Sequence, residues 1–133
     1  MLNLRRYGKQ DENDLFQLIE SEGEEWNDYL TEEGRENYKK TLAGSLTLLA
    51  YEGEELCGYS RSIVDGEFDV YVCDLLVHQE KRGNGYGEKL MAAIYEKYPN
   101  HTVFVMSDVD EYYEKLGYRK EGTVFEVNPP SSS

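Results

Sequence analysis

The spacing of apolar residues divides the first third of the chain into one strand and two helices. The stretch "LNLRRY" alternates weakly and predicts a first strand. In "DENDLFQLIESEG", Leu15, Leu18 and Ile19 fall on one helical face, which predicts an amphipathic helix that ends at Gly23. The stretch "TEEGRENYKKTLAGS" begins with Thr31, a favourable N-cap residue, and predicts a second, more polar helix.

The middle and the end of the chain alternate between strand and helix patterns. Apolar residues and turn residues predict three successive antiparallel strands near residues 46–52, 56–64 and 68–77. After a glycine-rich stretch, helical spacing predicts a helix that stops before Pro99, and "HTVFVM" predicts a short strand. Strand, helix and strand in this order form a βαβ unit, so we expect the two strands to be parallel. "VDEYYEKLG" predicts a short helix, and "YRKEGTVFEV" predicts a terminal hairpin.

Length and composition favour a single soluble domain. The chain has 133 residues, of which 39% are hydrophobic and 13% are aromatic, enough for one core. No apolar run approaches the roughly 20 residues of a membrane span, and the start lacks a signal-peptide pattern, so we expect a cytoplasmic protein. We assign residues 1–128 to one domain and residues 129–133 to a flexible tail.

Charge and cysteine content narrow the classes of partner. A net charge of −13 argues against nucleic acid and anionic membranes as partners. Acidic residues are concentrated from Asp11 to Glu36, a segment with eleven acidic residues and one basic residue. Cys57 and Cys73 lie in apolar, strand-like runs and are expected to be buried free thiols. The sequence has no cluster with metal-ligand spacing, so we expect no metal.

The stretch "EKRGNGYGEKL", Glu80 to Leu90, alternates glycine with other residues where a strand gives way to a helix. Alternating glycines at a helix start let backbone N–H groups point into one concavity, and Lys81 and Arg82 add positive charge, which predicts a phosphate site. A Walker A loop needs Lys-Ser/Thr after its last glycine, and a dinucleotide fold needs G-x-G-x-x-G after a first strand; this stretch has neither. A tight strand-to-helix turn would explain one or two of the glycines without a ligand.

Two segments resemble signatures of the GNAT superfamily of acyl-CoA N-acyltransferases. Arg82, Gly85 and Gly87 fill the pattern Q/R-x-x-G-x-G/A of its motif A, and "YYEKLGYRKEG" is similar to its F-Y-E-K-x-G-F element. The predicted elements follow the order of that family without identifying a subfamily. The resemblance implies an α/β (α+β) fold with a mixed, mostly antiparallel sheet of six to seven strands, about four helices and a splayed central pair of parallel strands.

The resemblance also implies a binding site for acetyl-CoA as co-substrate, with no metal. The strand before the loop would hydrogen-bond the pantetheine arm through its main chain, and the loop amides would hold the diphosphate. The residues implied are Leu75, Leu76, Val77, Arg82, Gly83, Asn84, Gly85, Tyr86, Gly87 and Glu88.

Acyl transfer to an amine requires a neutral amine and a protonated leaving thiolate. By the resemblance, Tyr113 matches the tyrosine that serves as general acid in many relatives, although Tyr112 beside it could instead face the cleft. Asp74 interrupts the apolar run "VYVCDLLV", so it is either paired or functional, as the base or as a site for a substrate ammonium. If Asp74 is structural, water must serve as base, with Asp108 or Asp69. Relatives usually transfer the acyl group directly, so we expect no cysteine nucleophile.

By analogy with the family, the acidic N-terminal part would wall the acceptor site. Trp26 and Tyr29 would then bind a cationic acceptor through cation–π contacts, although a surface turn in which Trp26 caps the core explains them as well. The expected function is an N-acetyltransferase that moves an acetyl group from acetyl-CoA directly to a small-molecule amine or a lysine-type side chain. A non-catalytic acyl-CoA sensor and a nucleotide-binding regulatory domain stay open as alternatives. A homodimer also stays open, because many relatives dimerise.

Overall fold

A computed structural model describes residues 1–107 and 109–130 of the chain. Five strands form one sheet in the order β1-β2-β3-β4-β5. The strands are β1 (Leu2–Arg6), β2 (Leu46–Glu52), β3 (Glu55–Asp65), β4 (Asp69–Val77) and β5 (Thr102–Val105). The α-helices are α1 (Glu12–Glu20), α2 (Glu32–Ala43), α3 (Tyr86–Lys97) and α4 (Asp110–Lys115). Strands β1 to β4 are antiparallel neighbours and β5 lies parallel to β4, which confirms the predicted mixed sheet and its βαβ unit.

The helices cover both faces of the sheet. The apolar face of α1, with Leu15, Leu18 and Ile19, packs with α2 against one face. Leu90 and Ile94 of α3 pack against the other face. All five side chains are at least 95% buried, so the apolar periodicity correctly identified the helix faces that form the core.

Local signals set several helix ends. Thr31 is the N-cap of α2, where its hydroxyl accepts a 2.9 Å hydrogen bond from the N–H of Gly34. Gly117 follows α4 with φ of +84°, a backbone conformation that favours glycine. The N–H of Gly117 donates to the carbonyl of Glu114 and the N–H of Tyr118 donates to that of Tyr113, which closes the helix in a Schellman motif.

The sheet has fewer strands than the family resemblance implied. In the part of the chain that the structure describes, five strands are formed, where six to seven were expected. The predicted terminal hairpin is wrong: residues 119–130 belong to no strand and are exposed, including the apolar Val124, Phe125 and Val127. The alternation in this segment indicates strand propensity, but a strand also needs a neighbour, and β5, the last strand in the order of the sheet, is only four residues long.

A short 3₁₀ helix, Glu24–Tyr29, connects α1 to α2 and is called the acidic 3₁₀ helix below. It replaces the surface turn that the sequence suggested for this segment. Its Trp26 and Tyr29 pack against the core between the sheet and α1 and α2, while Glu24, Glu25 and Asp28 are exposed. The segment therefore presents acidic residues to solvent and aromatic rings to the core.

Candidate functional site

The pairing between the parallel strands β4 and β5 ends halfway along β4. They pair from Asp69 and Thr102 to Val72 and Val105. The register between β3 and β4 then shifts by one residue, because Ser62 faces Val72 whereas Arg61 faces Asp74. Cys73 is the extra residue and forms a β-bulge. The parallel pairing stops at this bulge, where β5 ends, so residues 74–77 of β4 have no strand partner on the β5 side in the part of the chain that the structure describes, as the expected splayed strand pair requires.

The open part of β4 directs main-chain groups away from β3. The N–H of His78 donates to the carbonyl of Cys57 on β3 at 2.7 Å. Because hydrogen-bonding direction alternates along a strand, the main chain of Leu76 also faces β3, and that of Leu75 and Val77 faces the open side. An extended ligand lying beside β4 could therefore take hydrogen bonds from Leu75 and Val77.

Two loop glycines at the end of this cleft adopt a backbone conformation that other residues avoid. Gly83 has φ of +88° and Gly85, the N-cap of α3, has φ of +76°. A side chain at either position would be strained. These two glycines fit a tight strand-to-helix turn as well as a ligand site.

The third glycine has a different cause. Gly87 lies in the first turn of α3, is buried, and would place a Cβ atom 2.8 Å from the hydroxyl oxygen of Tyr112. The loop geometry alone does not require a glycine there, but a Cβ atom would displace the end of the Tyr112 side chain of α4. Gly87 therefore marks the contact between the start of α3 and α4.

The start of α3 presents main-chain N–H groups to the same region. The first bond within the helix runs from the N–H of Lys89 to the carbonyl of Gly85 at 3.1 Å. The N–H groups of Tyr86, Gly87 and Glu88 precede it, and such groups, together with the helix dipole, form an anion site. The donor set fits the diphosphate of an acyl-CoA.

The two cations of the loop are both paired with carboxylates. The ammonium of Lys81 lies 3.4 Å from Glu52 and 3.9 Å from Glu55, at the turn between β2 and β3, and these charges raise the pKa of Lys81. Arg82 donates to the carboxylate of Glu22 at 2.6 Å and to the carbonyl of Val77 at 3.0 Å. Lys81 thus pairs with the turn between β2 and β3, while Arg82 links the glycine loop to the end of α1.

Asp74 lies in a network of charged and phenolic groups. Its Oδ2 accepts from the Nε of Arg61 at 2.6 Å and from the hydroxyl of Tyr38 at 2.8 Å. Its Oδ1 accepts from the hydroxyl of Tyr29 at 3.2 Å, and the hydroxyls of Tyr38 and Tyr59 are 2.7 Å apart. The sequence indicated that Asp74 is either paired or functional, and the structure shows that it is paired. The bond from Tyr29 to Oδ1 is the longest of the three, so Oδ1 is the oxygen more available to a ligand.

Burial keeps the phenols of this network protonated at neutral pH. It raises the pKa of Tyr29, and the Asp74 charge raises it further. Burial likewise raises the pKa of Tyr38 and Tyr59. Arg61, opposite Asp74, has its pKa raised by its hydrogen bond to that carboxylate against the opposing effect of burial. Tyr29 is therefore a hydrogen-bond donor to Asp74, and its oxygen can accept a bond from a ligand.

The structure brings together residues that the sequence suggested separately. The ring of Tyr29 stacks on Tyr38 with 3.9 Å between centroids, and Trp26 contacts Tyr29 and Tyr59 edge to face. Trp26 and Tyr29 thus share one aromatic cluster with Asp74. Their contact with the core means that Trp26 also fulfils the core-capping role that was the alternative.

The α4 tyrosines have distinct surroundings. Tyr112 is the residue whose hydroxyl lies over Gly87, and burial and the Glu88 charge raise its pKa. Tyr113 is half-buried, with its ring edge to face with Tyr112 at 5.0 Å and stacked on Tyr118 at 6.1 Å. Asp108, a candidate to assist a water base, lies outside the described residues.

The remaining candidates have structural surroundings. Both cysteines are free thiols, and burial raises the pKa of each, which disfavours the nucleophilic thiolate. The Nδ1 of His78 accepts from the N–H of Glu80 at 3.1 Å. The Nε2 of His101 is 2.9 Å from the carbonyl of Gly66. Residues 1–107 and 109–130 hold no group of metal-ligating side chains and no helix long and apolar enough to cross a membrane.

Sequence reasoning missed three members of the site: Arg61, Tyr38 and Glu22. Arg61 had a usable signal, because a cation within the apolar strand "LCGYSRSIV" needs a partner, as Asp74 does. Tyr38 has no such signal, because a tyrosine at helical spacing is typical of a core position, and Glu22 cannot be separated by sequence from ten other acids in its segment.

Comparison with known proteins places this geometry in a family. Over residues 5–129 the chain matches the family described as "Acetyltransferase (GNAT) domain". It is 32% identical over 68 residues to ycf52, an uncharacterised N-acetyltransferase from Gracilaria tenuistipitata var. liui, a match that covers 47% of this chain and only 37% of that protein. The chain thus spans well under half the length of this curated relative.

Solved structures share the fold at low sequence identity. A GNAT-family acetyltransferase from Streptococcus pneumoniae TIGR4 is similar with a TM-score of 0.74 and 20% identity, over 97% of this chain and 100% of that one. An aminoglycoside acetyltransferase from an uncultured soil metagenomic sample, solved with sisomicin, is similar with a TM-score of 0.71 and 21% identity, over 97% of both chains. The family match over nearly the whole chain, the splayed strands and the glycine loop agree, and the chain belongs to the GNAT acetyltransferase family.

Proposed function

We propose that this protein is an N-acetyltransferase that transfers an acetyl group directly from acetyl-CoA to a primary amine, with a small cationic molecule as acceptor. The observation that carries the proposal is the open edge of β4, which begins at the bulge at Cys73 and leads to the glycine loop. Family membership supports acetyl transfer in general, and acyl-CoA use with it. The acceptor and the residue roles rest on the geometry of the site. A cytoplasmic location and a homodimer remain predictions.

We propose that acyl-CoA lies along the open edge of β4 and ends at the glycine loop. The main chain of Leu75 and Val77 would hydrogen-bond the pantetheine arm, and the N–H groups of residues 86–88 would hold the diphosphate. When bound, acyl-CoA supplies an activated thioester carbonyl next to the splayed strands. The chain itself then has to bind the amine, remove a proton from it and protonate the leaving sulfur.

Tyr113 is our proposed general acid. It lies on α4. The preceding residue of that helix, Tyr112, contacts Gly87 at the start of α3. A phenol with an ordinary pKa near 10 is protonated at neutral pH and can transfer its proton to a thiolate. Tyr112, with its hydroxyl over Gly87, is the matched comparison residue, because it is the same side chain one position away.

Tyr29 and Asp74 are our proposed acceptor-side pair. The Tyr29 hydroxyl donates to Oδ1 of Asp74, so its oxygen can accept a bond from the substrate amine, and Asp74 can receive a proton through it. Arg61 neutralises much of the Asp74 charge, which makes Asp74 a weak attractant for cations. Attraction must therefore come from elsewhere.

The exposed acids of the acidic 3₁₀ helix supply that attraction. Glu24, Glu25 and Asp28 are exposed and neighbour the partly buried Trp26 and Tyr29 in the same segment. Carboxylates beside aromatic faces favour an organic cation. The aminoglycoside acetyltransferase among the structural neighbours is consistent with such an acceptor.

The test is an amine panel read by release of free thiol from acetyl-CoA. The panel holds polyamines, aminoglycosides and lysine peptides, and we expect turnover of at least one cationic amine, abolished or strongly reduced by Tyr113→Phe and retained by Tyr112→Phe. Acetyl-CoA binding without turnover of any amine would instead identify a non-catalytic sensor.

The acceptor class has its own variants. Neutralising Glu24, Glu25 and Asp28 together should raise KM for the active amine and leave kcat nearly unchanged, because these side chains attract the cation without touching the reacting atoms. The control neutralises Glu67, Glu96 and Glu126, which are exposed and change the net charge equally. An equal KM in both triple variants would contradict the cationic acceptor.

A further inference from the structure

One ion pair joins the acyl-CoA side of the site to its acceptor side. An Nη atom of Arg82 donates to the carboxylate of Glu22 at 2.6 Å, across 60 residues of sequence. The Nε of the same guanidinium donates to the carbonyl of Val77 at the end of β4. Glu22 follows α1 and lies two residues before the acidic 3₁₀ helix. A side chain of the glycine loop therefore contacts the start of the segment that leads to Trp26 and Tyr29.

The carboxylate of Glu22 is incompletely paired. Its side chain is only 15% exposed, and its Oε2 is buried without a hydrogen-bond partner among the described residues. Asp11 and Asp74, two other shielded acids in ion pairs, accept hydrogen bonds at both carboxylate oxygens. A buried carboxylate oxygen without a donor is unfavourable. The position of Glu22 therefore satisfies the Arg82 guanidinium but leaves one oxygen of its own carboxylate unpaired.

Arg82 is also the cation that directly precedes the glycine loop, whose end carries the proposed diphosphate site. The diphosphate and the Glu22 carboxylate are both anions that favour the same guanidinium, and their charges repel each other. We propose that Glu22 is an internal counter-ion that occupies Arg82 in the free protein, and that the diphosphate of acyl-CoA takes Arg82 over and releases Glu22. The inference rests on the proposed function, because it requires acyl-CoA at the glycine loop.

The release has a consequence for the acceptor side. Gly23, between Glu22 and the acidic 3₁₀ helix, has φ of +113° and no side chain to hold the turn. Once Glu22 leaves Arg82, the ion pair no longer fixes the entry to the segment that carries Trp26 and Tyr29. Binding of acyl-CoA is thereby transmitted to the proposed amine site.

Calorimetric titration of acetyl-CoA tests the competition. Glu22→Gln keeps the side-chain volume and removes the charge, so it should bind acetyl-CoA about three- to tenfold more tightly than the wild type. The control is Glu20→Gln, which makes the same charge change two residues away, where the carboxylate pairs with Arg35. Its affinity should match the wild type. Equal or weaker binding by Glu22→Gln overturns the inference, whereas absence of binding by the wild type overturns the proposed function.

Trp26 provides a second readout that needs no change in affinity. It is the only tryptophan of the chain and lies four residues after Glu22. Acetyl-CoA should shift the tryptophan emission of the wild type, and free Glu22→Gln should already show the emission of the bound wild type. Saturation of the wild type with acetyl-CoA and no emission change overturns the proposed release of the segment.

Discussion

Removing the charge of Asp74 should destabilise the protein far more than removing a surface acid. The Asp74→Asn variant keeps the size of the side chain and a carbonyl that accepts hydrogen bonds, so no cavity forms. It leaves the Arg61 guanidinium without a counter-charge, in a place where the two side chains are only 12% and 10% exposed. Asn also replaces one of the two oxygens by an N–H₂ donor, so one of the hydroxyls of Tyr38 and Tyr29 loses its acceptor.

The expected magnitude lies near the value for a buried pair. Breaking a buried ion pair by removing one partner costs about 3–5 kcal/mol, and an exposed pair contributes about 0–1 kcal/mol. Since a tenth of each side chain still reaches water, we expect a loss of about 3 kcal/mol in the free energy of unfolding. With an unfolding entropy of about 2.1 cal/mol/K per residue, the Tm should fall by roughly 10 °C.

Urea denaturation of a double-mutant cycle measures this cost. The cycle comprises Asp74→Asn, Arg61→Met and the double variant, and the double variant should be less destabilised than the sum of the single variants by about 1–3 kcal/mol. Glu36→Gln is the control, because its pair with Lys39 is largely exposed, and it should cost at most about 0.5 kcal/mol. If Asp74→Asn lowered the free energy of unfolding no more than this control, the ion pair would not contribute the stability that its burial implies.

Two further predictions concern the tyrosines. Burial raises the pKa of Tyr38 and Tyr51 in the folded state, so the stability they contribute is complete below their ordinary pKa of 10.0 and is lost as pH rises above it. Burial also raises the pKa of the Cys57 and Cys73 thiols above their ordinary value of 9.0. Urea midpoints between pH 8 and 12 should therefore begin to fall above about pH 9 and fall more steeply above about pH 10; a flat profile would contradict this. Gly87→Ala should destabilise the wild type, where the added Cβ atom meets the Tyr112 hydroxyl. In the Tyr112→Phe background the same substitution should stabilise the protein by about 1 kcal/mol through helix propensity, as measured by denaturation. A change in stability of the same sign in both backgrounds would refute the contact.

Local patterns were sufficient for most of the fold. Strand β2 has the bounds that its sequence predicted, and β3 and β4 differ by one residue at their ends, because turn residues and period-two alternation are local properties. The glycine loop was also predictable, since Gly83 and Gly85 have positive φ and their identity is dictated by the backbone at their own positions.

Pairing across the sheet was not predictable from these patterns. Arg61 faces Asp74 only because the bulge at Cys73 shifts the register by one residue; without it, Arg61 would face Cys73. A bulge depends on the fit of two strands and has no signature in either one alone. The same limit applies to the terminal segment, where "TVFEV" alternates like a strand and lies outside the sheet.

Partners of the surface cations were also beyond the sequence. Lys81 and Arg82 both suggested a phosphate site by their position before the glycines. The structure places Lys81 beside Glu52 and Arg82 beside Glu22, contacts between residues 29 and 60 positions apart. Such contacts depend on how the β2–β3 turn and the end of α1 lie against the loop, which only the assembled fold determines.

Titration of acetyl-CoA by calorimetry tests the central claim most directly, with ATP and NAD in parallel. We predict that acetyl-CoA binds with a Kd of about 1 mM or below, more tightly than ATP or NAD. Gly85→Val, which strains a residue of positive φ at the diphosphate site, should abolish binding, and Gly122→Val, in open space without that φ, should retain it. No binding of acetyl-CoA at millimolar concentration, or tighter binding of ATP or NAD, would contradict the acetyltransferase account and return the glycines to the role of a tight turn.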